Sequence, residues 1–307
     1  MSILLAMQSA IGQGILWGIM ALGVYITFRL LDIADLTVDG SFATGGAVCA
    51  ISITNGINPL LSILIAVLAG FICGLITGLL HTKCKIPAIL AGILTQIGLY
   101  SINLRIMGSS NIPLLQSETI FDQLQGMVNL STNWITLIIG IILVIIVIAL
   151  CYWFFGTEIG SAIRATGNNE HMVRALGVNT NTTKLLGLMI SNGLIALSGA
   201  LITQSQGYAD VKMGIGAIVI GLASIVIGEV LFGHKKGFLV YLTAIIVGSI
   251  VYRIIVAIVL QLGLSTDDLK LLTALIVGIA LTIPVILARH KQIQNYKKLT
   301  AKENENA

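Results

Sequence analysis

The sequence predicts an all-α fold: a polytopic transmembrane helical bundle of about nine spans, N-terminus outside and C-terminus in the cytoplasm. Three observations predict it. Of 307 residues, 56% are apolar and only 10% charged, against about 25% charged in soluble domains, and mean hydropathy is +0.99. Apolar runs long enough to cross a bilayer recur along the chain. The lysines and arginines gather in alternate connections between those runs. No soluble core could bury so much apolar surface, so lipid must be the solvent for most of the chain. Thirty-three glycines against four prolines suit helices packed closely in a membrane.

The runs are taken in order. The first covers 9–28, and the preceding Met1–Gly14 lacks the basic n-region of a cleavable signal. Then comes Thr27–Ser41, with Arg29, Asp32, Asp35 and Asp39 between two apolar runs. Charges at membrane depth are costly unless paired or hydrated. Arg29 and Asp32 are spaced to pair over one turn, and Asp39 is placed to cap the helix that follows. Two readings stay open: a short cytoplasmic turn, or a broken helix lining a pathway with Thr37, Asp39 and Ser41. The short run 41–54 follows, then 60–80 and 86–106. Asn111–Asn133 is the longest external connection, either a plain loop or the seat of a short surface helix. The remaining runs are 134–155, 185–204, 214–232, 238–260 and 270–288, with residues 1–290 forming one permeation domain and 291–307 a polar cytoplasmic tail. Ala34–Val38 (ADLTV) is echoed by Ala209–Met213 (ADVKM), each before a Gly-rich apolar run. An inverted internal repeat would produce such an echo.

Twelve of the seventeen basic residues fall on one side if the spans alternate: Lys83, Lys85, Arg164, Arg174, Lys184, Lys235, Lys236 and five in the tail. The positive-inside rule assigns that side to the cytoplasm. The same clustering argues against a nucleic-acid partner. Cys49, Cys73, Cys84 and Cys151 show no metal or redox spacing and read as reduced small hydrophobes. His81, His171, His234 and His290 fall in loops or tail without ligand spacing, which removes an intramembrane metalloenzyme and any metal site. No GxxxxGK[ST] stretch occurs, so ATP chemistry would belong to another chain. Uncharged polar groups inside spans, Thr95, Gln96, Asn103, Asn192 and Gln204, are candidate pathway residues, although such groups more often bind a neighbouring helix. Arg253 and Glu229 lie near helix ends, where snorkelling suffices.

The cytoplasmic connection 156–184 is patterned. Ile159, Ile163, Met172, Val173 and Leu176 sit at helical spacing, Gly167-Asn168-Asn169 breaks the run, and Gly177 ends it. Two short amphipathic helices lying flat at the membrane surface are expected, with Asn168 or Asn169 capping the second and Glu170 in its first turn. An apolar elbow of this kind suits protein docking.

Arg164-Ala165-Thr166-Gly167-Asn168-Asn169-Glu170 followed by Arg174-Ala175-Leu176-Gly177-Val178 resembles the coupling loop of ABC-importer permeases of the branched-chain amino acid and ribose type, approximately R-A-x-G-x-N-x-x-A-x-x-x-G-[IV]. Arg164, Ala165, Gly167, Asn169, Gly177 and Val178 match, and the frequent alanine is replaced by Met172. Asp35–Ser41 resembles that family's D-L-S-V-G-S segment with one residue inserted. Lys85–Ala91 resembles the opening of its next helix and Ser191–Gly199 its small-residue helix, so the resemblance covers about 10–288. ADLTVDGSFATGG with KIPAILAGILTQIG is most similar to the branch importing aromatic amino acids. The resemblance implies a transport subunit without cofactor, in a bacterial plasma membrane. It also implies a second permease copy, two cytoplasmic ABC ATPases on the coupling segment and an external substrate-binding lipoprotein. Ile163, Arg164, Ala165, Gly167, Asn168, Asn169, Glu170, Arg174, Leu176 and Gly177 would meet the ATPase. An importer of sugars or nucleosides, and an ion-coupled secondary transporter, are the competing readings.

Overall fold

The chain enters the structure as a long apolar helix, α1 (Ile3–Tyr25), prolonged by a π-helical turn over Ile26–Leu30. There follow α2 (Val38–Thr54), α3 (Pro59–Thr82) and α4 (Ala88–Met107). A short strand β1 (Asn111–Pro113) and helix α5 (Ile120–Met127) lead to α6 (Thr132–Gly156). The elbow consists of α7 (Glu158–Asn168) and α8 (Glu170–Ala175). The last described elements are α9 (Thr180–Gln206), β2 (Tyr208–Asp210), α10 (Ala217–Phe232) and α11 (Phe238–Gln261). This computed structural model describes residues 3–115, 117–127, 131–233, 237–261, 271, 273–275, 277–279 and 282.

Among the described residues, six segments are long and apolar enough to cross a membrane: Ala6–Leu30, Pro59–Thr82, Ala88–Met107, Asn133–Gly156, Thr180–Gln206 and Phe238–Gln261. Two more, α2 and α10, are apolar but have only 17 and 16 residues. At 1.5 Å per residue they reach about 25 Å, short of the ~30 Å hydrocarbon core. The expected run 270–288 and the tail 291–307 lie largely outside the described residues.

Helix α1 is the core element, with Leu16, Ile19, Met20 and Ala21 sealed from solvent. Helix α9 runs antiparallel to it, as two hydroxyl contacts show: Ser191 Oγ donates to Gly23 O at 2.7 Å and Ser198 Oγ to Leu16 O at 2.8 Å. Glycines allow backbone to touch backbone. On α3, a Cβ at Gly70 or Gly74 would overlap the carbonyls of Asn192 or Leu188 of α9. On α11, Gly248 stands in the same relation to Ser224 of α10. The opposite surface of α6 exposes Ile141, Ile142, Ile145, Ile146 and Trp153, a face that lipid would cover at no cost.

The echoed segments adopt the same local form. Asp35 Oδ1 accepts the Thr37 N–H at 2.9 Å, and Asp210 Oδ1 accepts the Lys212 N–H at 2.7 Å. Each follows a long helix (α1, α9) and precedes a short one (α2, α10) and then a long one (α3, α11). Because α1 and α9 are antiparallel, the two units are inverted with respect to each other.

The structure corrects several expectations. The helix after the acidic segment starts at Val38, so Asp39 lies inside α2 rather than capping it from before. The long connection after α4 is not a plain loop: it holds α5, and β1 pairs antiparallel with β2 (Asn111↔Asp210, Ile112↔Ala209, Pro113↔Tyr208). The bundle is therefore not purely helical. Arg29 pairs with Glu229 of α10 instead of Asp32, which is exposed at φ +54°. Arg253 lies two turns inside α11 and packs inward, its guanidinium 4.2 Å from the Trp17 ring centre, where a cation over an aromatic face is stabilised.

Candidate functional site

Two regions hold most of the polar residues singled out from the sequence. The first lies where the segment 31–37 re-enters the bundle. Gly92 of α4 lets it approach, since a Cβ there would sit 2.7 Å from the Leu36 nitrogen. Thr37, Thr77 and Thr95 form a buried hydroxyl chain, with Oγ1 separations of 2.7 and 3.0 Å. Beside it, Asn192 of α9 donates to Asp35 Oδ2 at 2.8 Å and accepts from Ser41 Oγ at 2.6 Å. All these groups are nearly fully buried and satisfied. They hold α2, α3, α4 and α9 in register.

Asp39 does not cap its own helix. Its Oδ2 accepts the Gly216 N–H at 2.9 Å and its Oδ1 the Ile218 N–H at 3.1 Å, so it caps α10. The N-termini of the two short helices thus converge on one carboxylate, which offsets their partial positive charges. Gly214 is required beside it, because a Cβ would strike the Asp39 carbonyl. Next to this junction opens a cavity of about 370 Å³ lined by Asp39, Gly40, Ala43, Gln96, Ile97, Tyr100, Ser101, Asn103, Val211 and Ile215. The structure therefore divides the expected pathway residues. Asp39, Gln96 and Asn103 line the cavity, whereas Thr37, Ser41, Thr95 and Asn192 belong to the buried lattice behind it. Gln204 is in neither place: it donates to Pro59 O and Cys49 Sγ and accepts from Ile120 N at 3.0 Å, tying α9 to α5. Tyr100 and Ser101 were not singled out from the sequence. Tyr100 is four residues from Gln96, one turn along the same face of α4, and that spacing is the signal for it.

The second region is the elbow. Thr157 Oγ1 accepts from Gly160 N at 3.3 Å and Asn169 Oδ1 from Met172 N at 3.0 Å, starting α7 and α8 as their residue types demand. Gly177 ends α8 at φ +84°. Ile163 and Val173 are buried, and a Cβ on Gly167 would overlap Leu30 O, so these residues fix the elbow to the bundle. Asn168, Asn169, Met172 and Leu176 point out, Leu176 with 74% of its surface exposed. Arg164 lies over the Phe238 ring at 4.9 Å, while Ala165 is half-buried. Glu170 latches α8 to α9: it takes Lys184 Nζ at 2.6 Å, Arg174 at 2.8 Å and Thr180 Oγ1 at 3.0 Å. The Lys184 hydrogen bond, supported by Thr180 and Arg174, holds the Glu170 carboxyl below its ordinary range. Thr166 and Thr183 join α7 to the same helix at 2.9 Å.

Comparison with known proteins places this geometry in context. Residues 6–284 match the family model described as branched-chain amino acid transport system, permease component. A tyrosine transport system permease protein of Clostridioides difficile is 45% identical over 269 residues, covering 88% of each chain. An uncharacterized protein of Rickettsia prowazekii is 35% identical over 277 residues, 89% of this chain and 96% of that one. The fold resembles PsaBC from Streptococcus pneumoniae, solved in complex with a Fab, with TM-score 0.50, 17% identity and coverage of 90% and 89%. The chain belongs to the branched-chain amino acid transport system permease family: it is a multi-pass membrane protein, the permease component of an ABC transporter and not itself an enzyme.

Proposed function

We propose that this permease imports an aromatic or other apolar amino acid across a bacterial plasma membrane, as a pair of identical copies. Nine spans place the elbow α7–α8 in the cytoplasm and the ribbon with α5 outside, where a substrate-binding lipoprotein delivers its cargo. The observation that carries the ATPase-coupled reading is the two-sidedness of the elbow. Ile163 and Val173 are sealed inward while Met172 and Leu176 stand exposed, a surface that water penalises and a protein partner would cover. Glu170 then links that surface to α9, and α9 carries Asn192, which holds Asp35 and Ser41. The name of the 45% identical relative supports a tyrosine-like cargo.

The test is co-purification of the permease with its ATPase, using Leu176→Asp and Met172→Glu. Both side chains point away from the bundle, so the fold should survive. ATPase retention falling at least tenfold, with an unchanged melting profile, is the expected result. Full retention, or transport that persists without any ATPase, would refute the reading and favour a secondary carrier. Gly167 is unsuitable as a probe, because any side chain there collides with Leu30.

A further inference from the structure

We infer that the cavity between α2, α4 and the 211–215 segment is a binding station for a zwitterionic amino acid, so that the permease itself selects its cargo. This deepens the proposed function and rests on it. The observation is Asn103. It is 1% exposed, it lines the cavity, and neither its Oδ1 nor its Nδ2 has a hydrogen-bond partner among the described residues. Buried side-chain amides are nearly always paired, so an orphan in the wall of a cavity calls for a partner that a ligand seated there can supply.

The lining defines the chemistry. Among the described residues no lysine, arginine or histidine lines the cavity, and Asp39 is its carboxylate. Phosphorylated or otherwise anionic solutes would meet that carboxylate with no cation to offset it. Asp39 uses one lone pair of each oxygen on α10, and a carboxylate offers about four acceptor positions, so about two remain for an ammonium group. The Asn103 and Gln96 amides and the Ser101 hydroxyl supply donors for a carboxylate. Tyr100, Ile97, Ile215 and Val211 give the remainder an apolar wall. At about 370 Å³ the space lies near the lower end of small-molecule pockets, ~300–1,000 Å³. An α-amino acid with an apolar or aromatic side chain fits this division into a polar and an apolar end.

The experiment measures equilibrium binding of radiolabelled L-phenylalanine to the detergent-purified permease–ATPase complex without binding protein. Saturable binding is expected, competed by L-tyrosine but not by N-acetyl-L-phenylalanine, whose ammonium is blocked. Asn103→Leu should weaken it at least tenfold, and Tyr100→Leu should shift competition towards L-leucine. Asn103→Ser, which keeps a polar group, serves if Asn103→Leu fails to assemble, and the same tenfold loss is expected. Four results overturn the inference: no saturable binding, unchanged affinity in both Asn103 variants, stronger competition by uridine or ribose, or variants that bind normally but lose the second copy. The last would show that Asn103 pairs across a permease dimer. A complex that retains its ATPase yet binds no amino acid sinks this site alone, whereas loss of the ATPase from the unaltered protein sinks the importer reading.

Discussion

Replacing Gly45 by alanine adds one methyl group, and the structure determines the sign of the effect. Gly45 is on α2, where its missing side chain lets α9 approach. A Cβ would lie 2.6 Å from Ala196 Cα and 2.7 Å from its carbonyl carbon, and closer still to the carbonyl oxygen. Ordinary carbon contacts are about 3.5–4.0 Å, so the helices must part by about 1 Å. In an open helix the same change is worth up to about 1 kcal/mol in favour of alanine. Overpacking costs about 1–3 kcal/mol, and the upper figure applies because the obstacle is backbone, which cannot rotate away. The net is about 2 kcal/mol of destabilisation, or roughly 3 °C in melting temperature for a chain of 307 residues. Thermal unfolding of the detergent-solubilised protein reads it directly. Gly98→Ala on α4, where nothing lies within 4 Å of the new methyl group, is the control and should melt no lower than the unaltered protein. If Gly45→Ala also melts no lower, the close contact between α2 and α9 is wrong, and with it the register that sets Ser41 against Asn192.

Three further changes follow from the polar contacts. Asn192→Leu strands Asp35 Oδ2 and the Ser41 hydroxyl together; at about 1–3 kcal/mol for each buried unsatisfied group, a loss of about 3 kcal/mol should appear as poor folded yield in size-exclusion chromatography. Glu229→Gln breaks the pair with Arg29, whose side chain is 42% exposed, so no more than about 1 kcal/mol is at stake and melting should hardly change. The Glu170 latch should respond to acid: its carboxyl pKa is depressed on folding, so its contribution is complete above the ordinary value of about 4.3 and is lost as pH falls through the lower folded value. The protection of amides 170–184 against hydrogen exchange, taken relative to the intrinsic rate at each pH, should therefore be flat from pH 7 to 5 and fall below about 4, while Glu170→Gln, lacking the titration, shows no such step.

The elements legible in the sequence are those specified by local chemistry. The elbow is one: Asn169 caps α8 by a contact three residues long, and Gly177 stops it with a positive φ, so both ends are written within a dozen residues. Six of the nine apolar runs correspond to span-length helices among the described residues, because lipid imposes a length on each helix separately. The site was harder to read, because its contacts join distant residues. Arg29 meets Glu229 at a separation of 200 residues, and Asp39 meets Gly216 at 177; the nearer partner, Asp32, was only the more obvious one by spacing. On α4, neighbouring Thr95 and Gln96 look alike in sequence but lie about 100° apart around the helix. One joins the hydroxyl chain and the other faces the cavity, and only the packing of α4 against the 31–37 segment decides which.

The inverted units explain why a carboxylate of one serves the helix start of the other at the centre. Each unit starts a short helix partway through the bundle, and each such start leaves unpaired N–H groups that a lipid-facing position could not tolerate. Placing the two starts head to head lets a residue from one unit satisfy the other: Asp39 belongs to α2 and accepts from α10. The fit elsewhere is backbone against backbone, as at Gly45, Gly74 and Gly248, and leaves little room for relative movement. The junction at Asp39 adds to one such contact, Gly214 against the Asp39 carbonyl, two hydrogen bonds beside a cavity. If the permease is to alternate between facing out and facing in, the Gly214 contact and the two Asp39 hydrogen bonds must part together, and they border the space where cargo would sit.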